Sequence, residues 1–542
     1  MSRGQALIAL CVAAAVVEAL LVVLLGPAAA IALAPQVSGL APIGVFHDLR
    51  WLLVFTDSWT TFGFELGALL VVRTVFTAAC VRLAWPAGRA APSWRSLLLR
   101  SLSITLVTGV LLFPFASLLF GMAVVSVSWF FLGAFPAVIA ICLVTAHGSA
   151  TSWWRRAPAL AAVGWAGASL LVMTVTGGLA VAASSPAAVL WVAAGGAFNG
   201  FAWLRLVPAV VTGRRRVRFA PVAPVALAAS LALVVGVVTV MVHNGHSRRG
   251  RPGGTLGPAV SSRAPGRLVL VMAGFATKWD GKARFDLGPG FEVRRFSYRG
   301  LGPDQRPLPY TSGDTQRTLP QLVRLLSAQV DALAGHSGQK VSIVAESEGA
   351  LAAKAYLASD PGAPVRALVL LSPLIDPARV YFPPPNTPGW GLVGGAGARA
   401  LLKGLDVTTP LNLTADGPLI RSIEDQGPLV RGLVSCQIPG VRQLALIPLA
   451  DAVGAPYGPD LAIPSAVVVA FHGTLFAEPA VAKLTAAFLR DGTVPGFRWR
   501  SEVEQVIRAA ASPWQVPTLP LSLNPSWQQP APACSQLGSA LG

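Results

Sequence analysis

Residues 340–349 read Lys-Val-Ser-Ile-Val-Ala-Glu-Ser-Glu-Gly and join the end of a strand to the start of a helix. A β-branched run stops at Ala345, and a segment rich in Ala and Leu follows Gly349 as far as Ala358. Ser347 lies on the sharp turn between them, where bulky neighbours would collide with the backbone. The pattern predicts a serine hydroxyl held clear of a sheet at the positive end of a helix, in position to attack a carbonyl carbon.

The chain divides into an apolar half and a polar half. It has 542 residues, of which 54% are hydrophobic and 12% charged, against about 25% charged residues in typical soluble domains. Nearly all of the long apolar runs fall in residues 1–243, whereas charged and polar residues concentrate after residue 244. This split predicts a transmembrane domain followed by a water-soluble domain.

The formal net charge of +18 is carried by arginines that cluster between the apolar runs. Loops that flank membrane helices have this composition. The chain lacks the helix-turn-helix, zinc-finger and aromatic patterns of nucleic-acid-binding proteins. The sequence therefore argues against nucleic acid as a partner, and it makes the lipid bilayer the expected one.

Seven apolar segments are long enough to cross a bilayer, which takes about 20 helical residues. They cover residues 5–26, 61–84, 98–121, 123–146, 160–183, 187–211 and 220–242. Arginines cluster after the second, fourth and sixth segments. Because positive loops stay in the cytoplasm, the amino terminus is expected inside and the chain is expected to leave the seventh segment outside. Arg248, Arg249 and Arg251 oppose that last crossing, which depends on the helix count.

Three charged residues fall inside the predicted spans, where an unpaired charge is costly. Glu18, Glu65 and Arg73 could line a polar cavity, or a Glu–Arg pair could hold the first two helices together. We favour the pair because the sequence shows no further acidic or histidine relay. His47, near a predicted membrane edge, is expected to be solvated or interfacial.

The polar half shows an alternation of short strands and helices after a linker at 244–266, which is rich in Gly, Pro, Ser and Arg. Strands are expected at 267–272, 291–298, 340–345, 365–371, 442–447 and 465–471, and helices at 318–334, 348–358 and 477–489. This alternation predicts a doubly wound, mostly parallel α/β sheet over residues 267–515. A long irregular insertion occupies 377–436, and residues 516–542 form a Pro-rich tail.

Two further polar side chains follow strand-like runs. Asp451 comes after the strand at 442–447, and His472 comes directly after the strand at 465–471. A serine hydroxyl is a weak nucleophile that needs a base, and the base needs an acid that fixes its tautomer. Ser347, His472 and Asp451 supply these three groups, and Asp376 is the alternative acid.

An oxyanion formed from a carbonyl needs two converging N–H donors. The backbone of Glu348, directly after the serine, is one candidate. The loop after the first strand supplies the other, because Gly274 permits a close approach there. The N–H of Phe275 is the expected second donor, with that of Ala276 as the alternative.

These residues resemble the α/β-hydrolase family over roughly residues 267–490. The resemblance is carried by Ala345-Glu346-Ser347-Glu348-Gly349, Asp451 and His472 in the order of that family, with Ala345 where Gly is commonest. It implies a serine esterase, lipase or thioesterase with Ser347 as nucleophile, no metal or cofactor, and a lid or cap formed by the insertion.

The expected function is therefore that of a multi-pass membrane protein with an extracytoplasmic hydrolase domain, which cleaves an ester or thioester derived from lipid. An acyltransferase that acts on a lipid or cell-surface glycan would use the same residues. A non-catalytic membrane scaffold or transporter with a hydrolase-like binding domain is the second alternative. Cys436 and Cys534 either form a disulfide or remain free thiols.

Overall fold

The first half of the chain is built from apolar helices. The computed structural model describes residues 1–25, 28–121, 160–212, 266–281, 285–375, 383–408, 414–449, 451, 461–470, 472–493, 498–515, 517 and 536. In chain order the elements of the helical half are α1 (Arg3–Leu25), the 3₁₀ helix η1 (Ala28–Ser38), α2 (Ala41–Phe55), α3 (Trp59–Leu83), α4 (Trp94–Gly121), α5 (Leu160–Ala182) and α6 (Ser185–Thr212).

Four of these helices, α1, α3, α5 and α6, are long and apolar enough to cross a membrane. They coincide with four of the predicted spans, and α4 covers a fifth. The predicted spans at 123–146 and 220–242 lie outside the described residues, as does the linker at 244–266 except for Gly266. In length and composition, these four helices suit a membrane.

The sequence patterns do not predict the two short helices between α1 and α3. α2 has 15 residues, or about 22 Å of helix, so it is too short to cross a hydrocarbon core of about 30 Å. Twelve of its residues are buried, and it packs against η1, α3 and α4. Thr56, which ends α2, donates a hydrogen bond to Glu65 of α3 at 2.9 Å. The segment from η1 to α2 therefore folds back into the bundle.

The buried charges of the helical half pair differently from the expectation. Arg73 of α3 donates to both carboxylate oxygens of Asp48, at 2.6 and 2.7 Å. Glu18 of α1 lies 2.6 Å from the Nε2 atom of His47, which is 3% exposed. The expected Glu–Arg pair is therefore wrong, and so is the solvated or interfacial histidine. The physical reason is α2, which brings both His47 and Asp48 into the bundle.

The second half contains a six-stranded sheet in which neighbouring strands are all parallel. Its elements are β1 (Arg267–Met272), β2 (Phe291–Arg295), η2 (Ser312–Thr315), α7 (Leu319–Ser337), β3 (Val341–Glu346), α8 (Glu348–Ser359), β4 (Val365–Leu371), α9 (Leu392–Thr408), α10 (Pro418–Asp425), α11 (Gly427–Ser435), β5 (Arg442–Pro448), β6 (Ser465–Val468), η3 (Leu475–Ala477), α12 (Pro479–Asp491), α13 (Arg498–Ala511) and η4 (Ser512–Trp514). The strand order is β2-β1-β3-β4-β5-β6. The predicted parallel α/β sheet is confirmed, although β2 and β6 end three residues early.

Helices cover both faces of this sheet, which explains why its central strands are mostly apolar. Successive residues of a strand point to opposite faces. Ile343 of β3 packs in the cluster that contains α7 and α8, and the next residue, Val344, packs in the cluster that contains α12. All six residues of β3 are buried. The sheet is therefore the middle layer of the second half.

The described part of the insertion after β4 is largely helical, and the expectation of an irregular stretch is wrong there. Its described part contains α9, α10 and α11. α9 packs against α2 and α4, and its Gly397 lies so close to Ser117 of α4 that an added Cβ would overlap the serine hydroxyl. The Gly389 N–H donates to the Asp57 carbonyl at 2.8 Å. Packing against the bundle stabilises a helix whose many glycines disfavour it locally.

Cys436, which directly follows α11, is disulfide-bonded. Its partner lies outside the described residues, so the pairing with Cys534 stays a prediction. The carbonyl of Cys436 accepts a hydrogen bond from the Lys354 ammonium of α8. Burial lowers the pKa of this lysine to about 8.

The segment after α13 returns to the helical half. Trp514 is 4% exposed, and its indole N–H donates to the Thr174 hydroxyl of α5 at 2.9 Å. Arg50 of α2 is fully buried, and it donates to the carbonyls of Pro513 and Gln515 at 3.0 and 2.9 Å. The two halves are therefore joined by buried contacts as well as by the chain.

We expect the substitution Trp514→Ala to lower the stability of the whole protein. Removal of a buried indole costs about 3–5 kcal/mol, and the Thr174 hydroxyl also loses its donor. The measurement is the thermal unfolding midpoint in lipid nanodiscs. Trp499→Ala is the matched control because this indole, on the neighbouring α13, is 54% exposed. Equal midpoints for the two variants would contradict a stabilising role for the joint.

Candidate active site

Three polar residues lie at one edge of the sheet. Ser347 follows β3, Asp451 follows β5, and His472 follows β6. Because the strands are parallel, their carboxyl ends all reach the same edge. In parallel sheets this edge carries the ligand-binding and reactive groups.

The side chains of these residues form one hydrogen-bonded chain. The Nε2 atom of His472 lies 2.8 Å from the Ser347 Oγ atom. The Nδ1 atom of His472 lies 3.1 Å from each carboxylate oxygen of Asp451. A carboxylate only accepts hydrogen bonds, so Nδ1 carries the proton and Nε2 presents a lone pair to the serine hydroxyl. The structure thus brings together the three residues that the sequence singled out.

The backbone at Ser347 has φ 54° and ψ −116°, a region that non-glycine residues rarely occupy. The Ser347 N–H donates to the Leu371 carbonyl of β4 at 2.9 Å, which fixes the turn. Gly349 is required two residues later, since an added Cβ would lie 2.8 Å from the Met272 side chain. Ala345 is fully buried, so the position has room only for a small residue. The turn has the strained geometry expected from residues 340–349.

Burial differs along the hydrogen-bonded chain. The Asp451 side chain is fully buried, whereas the side chain of His472 is 13% exposed. Ser347 is half-buried. The serine end of this hydrogen-bonded group is therefore partly accessible, whereas the carboxylate end is buried. The alternative acid, Asp376, lies outside the described residues.

The loop after β1 approaches the serine closely. A Cβ added to Gly274 would lie 2.9 Å from the Ser347 Cβ atom. The Ala276 N–H donates to the Thr315 hydroxyl at 3.0 Å, so the Phe275 amide remains the candidate donor of this loop. Glu348 is the first residue of α8, where backbone N–H groups have no partner within the helix. Both predicted oxyanion donors therefore belong to segments that adjoin Ser347.

The Glu348 side chain forms a buried contact that the sequence did not suggest. The Tyr298 hydroxyl lies 2.5 Å from the Ala273 carbonyl and 3.3 Å from the Glu348 Oε2 atom. The hydroxyl donates to the Ala273 carbonyl, and it also faces the Glu348 carboxyl. Burial raises the pKa of Glu348 well above its usual range, so it favours the protonated form of this carboxyl.

Glu346 ties the serine turn to the histidine loop. It is 2% exposed, and its Oε1 atom accepts a hydrogen bond from the Leu475 N–H at 2.9 Å. Leu475 begins η3, three residues after His472. One signal for this role is visible in the sequence, namely an acidic residue at the end of a largely apolar strand.

Comparison with protein-family models, with curated proteins and with solved structures returns no match for this chain. The assignment of a role to the site therefore rests on its geometry and its chemistry.

We expect Glu348→Gln to stabilise the protein at alkaline pH. In the unfolded chain this glutamate ionises above its ordinary pKa, whereas burial keeps it protonated in the fold. The stability that it contributes is therefore present below the unfolded pKa and is lost as pH rises. Glutamine is neutral at every pH, so the unfolding midpoint of the variant should exceed that of the wild type at pH 8 and match it near pH 4.

The control is Glu502→Gln, because this glutamate is exposed on α13. An increase of about 1 kcal/mol in the free energy of unfolding raises the unfolding midpoint by about 2–4 °C in a domain of this size. A Glu348→Gln midpoint below that of the wild type at pH 8 would show that the buried carboxyl is ionised.

Proposed function

We propose that the second half of this protein is a serine hydrolase of the α/β-hydrolase type that cleaves an ester or thioester. The observation that carries the proposal is the hydrogen-bonded chain from Ser347 through His472 to Asp451, with the serine on a strained turn between strand and helix. In this proposal Ser347, His472 and Asp451 form a catalytic triad, as nucleophile, base and orienting acid in that order.

In the first step the Ser347 Oγ atom attacks the carbonyl carbon of the substrate. His472 Nε2 accepts the hydroxyl proton, and Asp451 stabilises the imidazolium through Nδ1–H. The carbonyl oxygen becomes an oxyanion, which the N–H groups of Phe275 and Glu348 are proposed to bind. The carbon–oxygen or carbon–sulfur bond then breaks, and the leaving group takes the proton from His472.

The acyl group is now an ester of Ser347. A water molecule gives a proton to His472 Nε2 and attacks this ester, and the second oxyanion collapses with release of a carboxylic acid. His472 returns its proton to the Ser347 Oγ atom. The backbone strain at Ser347 supports this role because it holds the hydroxyl away from the sheet before the substrate arrives.

A lipid-derived substrate is supported by the contacts between the site and the apolar helices. The insertion begins at the carboxyl end of β4, the edge that carries Ser347. Its helix α9 packs against α2 and α4. We propose that the insertion forms the cap over the site, and that an acyl chain leaves the bilayer beside these helices.

The contacts of the second half lie toward one end of the helical bundle. The contacts of Asp57 with Gly389 and of Ser117 with Gly397 lie at the same end of the bundle. Asp57 precedes α3 and Ser117 is near the end of α4, and a short loop joins the opposite ends of these two helices. At the other end of these helices, Arg89 of that loop donates to the Val211 carbonyl near the end of α6. α5, which a short loop joins to α6, therefore ends on the side of Asp57, and its contact residue Thr174 lies in its second half.

This arrangement supports an extracytoplasmic hydrolase domain. The loop between α3 and α4 contains Arg89, with Arg82 and Arg95 in the adjoining helix turns. Positive loops stay in the cytoplasm, so the opposite end, where the second half packs, is proposed to face outward. The disulfide at Cys436 supports the same side because disulfides persist in oxidising compartments.

Fluorophosphonate labelling tests the enzymatic role. We expect the probe to label the wild type at a single serine and to fail with Ser347→Ala. Removal of the base in His472→Gln should slow labelling by about 10³-fold or more. Ser372→Ala is the matched control, since Ser372 also follows a central strand with a positive φ, of 46°. Wild-type labelling that persists in Ser347→Ala would overturn the proposal.

Cysteine accessibility tests the orientation. Ser337→Cys lies on an exposed turn of the second half, and Ser93→Cys lies on the exposed loop with the arginines. A membrane-impermeant maleimide added to intact cells should label the first variant and not the second. After lysis both should react. The reverse pattern in intact cells would place the hydrolase domain in the cytoplasm.

A further inference from the structure

The helical half contains a second group of buried ionisable side chains, which the proposed hydrolysis does not use. Glu18 comes from α1, His47 and Asp48 come from α2, and Arg73 comes from α3. We call these four residues the α2 cluster. His47 is 3% exposed, and the side chains of Glu18 and Asp48 are 15% and 12% exposed. Ionisable groups inside a membrane bundle are costly and are commonly functional.

His47 lies between two carboxylates. Its Nε2 atom is 2.6 Å from the Glu18 Oε1 atom, and its Nδ1 atom is 2.9 Å from the Asp48 Oδ1 atom. Asp48 is ionised, since it accepts two hydrogen bonds from Arg73. Nδ1 therefore carries a proton that it donates to Asp48. A second proton must lie between Nε2 and Glu18, because a lone pair facing a carboxylate at 2.6 Å would be repulsive.

This second proton can reside on either atom. On Nε2 it makes His47 an imidazolium that donates to the Glu18 carboxylate, and on Oε1 it makes Glu18 a carboxylic acid that donates to a neutral imidazole. The Trp51 indole N–H suits both states, because it lies 3.2 Å from the Glu18 Oε1 atom and 3.1 Å from the His47 Nε2 atom. It can donate to the Glu18 Oε1 atom in both states, because this oxygen keeps a free lone pair in each.

The surroundings hold the other charges in place. Gly44 of α2 leaves the space for the Arg73 guanidinium, which an added Cβ would overlap. Arg73 also donates to the Val37 carbonyl of η1 at 2.7 Å. With one proton between Glu18 and His47, the α2 cluster contains two positive and two negative charges, or one of each plus a neutral pair. Loss of that proton would leave one uncompensated negative charge.

Charged and titratable groups of the elements packed on α2 complete the electrostatic environment. They are Arg50 on α2 itself, Glu65, Cys80 and Arg82 on α3, Arg95 and Arg100 on α4, and Arg399, Lys403 and Asp406 on α9. Arg50 is bound to the carbonyls of the segment after α13, and Glu65 is bound to Thr56. Glu18 and Asp48 are therefore the carboxylates that face the His47 ring among the described residues.

We propose that Glu18 and His47 form a proton-binding site in the helical half, which exchanges its proton through the partly exposed Glu18 carboxyl. Among the described residues, no three His, Cys, Asp or Glu side chains are arranged to hold a metal ion, so a proton is the occupant that fits the geometry. The site lies on α2, the helix whose Arg50 also binds the segment that follows α13. His47, which binds the proton, and Arg50, which contacts the second half, therefore lie on the same helix.

Nitrogen NMR of the full-length protein in nanodiscs, with ¹⁵N-labelled histidine, tests this site directly. The chain has six histidines, and loss of signals in His47→Gln assigns the ring of His47. Over a titration from about pH 5 to pH 9, we expect His47 Nε2 to keep a protonated or hydrogen-bonded shift to higher pH than the exposed His336.

In Glu18→Gln the midpoint of this change should fall by about one pH unit or more, because a carboxylate that favours the bound proton has been removed. Trp51→Phe is the matched control, since it removes a neighbour that stays uncharged over this pH range, and its midpoint should stay near that of the wild type. A free lone pair on Nε2 throughout the range, no titration at all, or an unchanged midpoint in Glu18→Gln would each overturn the proposal. Where Glu18→Gln fails to fold, the comparison of His47 with His336 in the wild-type protein still tests the proposal.

Discussion

Parallel pairing of the strands is the constraint on which the candidate site depends. It sends the chain to the same edge after β3, β5 and β6. Ser347 and Asp451 are 104 positions apart in the sequence, and Asp451 and His472 are 21 positions apart, yet they become neighbours. Parallel strands need crossover connections, and these cover both faces of the sheet with helices. The site edge then remains the open boundary, where a short loop can present a side chain. The bond from Ser347 N–H to Leu371 O extends the pairing of β3 with β4 into the turn itself.

The helical half is governed by a different requirement, the compensation of buried charge. Arg50 and Arg73 are both almost completely buried, and each would be strongly unfavourable without partners. Arg73 is neutralised by Asp48, whereas Arg50 is solvated by carbonyl oxygens from the far end of the described chain. The same helix, α2, presents Arg50, Asp48 and His47, so its burial depends on all of these contacts at once.

The strands could be predicted because each is a short apolar run bounded by turn residues, and a buried parallel strand requires little else. The site residues could be predicted because Ser347 and His472 stand directly after such runs. α2 could not be predicted in this way. Its apolar residues continue those that precede them, and its polar residues, His47, Asp48 and Arg50, become buried only through partners on other helices. The same holds for α9, whose glycines obscure a helix that depends on contact with α4 for its stability.

The contact of Arg50 with Pro513 also sets an order of assembly. The two residues are 463 positions apart in the chain. At about 5–20 residues per second, a ribosome needs roughly 20–90 s to synthesise that interval. Throughout this time α2 has been synthesised, but the guanidinium of Arg50 still lacks the carbonyls that complete its solvation. The packing of the first helices therefore stays incomplete until the last described helices have been synthesised and have docked. In that interval water or another hydrogen-bond acceptor must bind the Arg50 guanidinium.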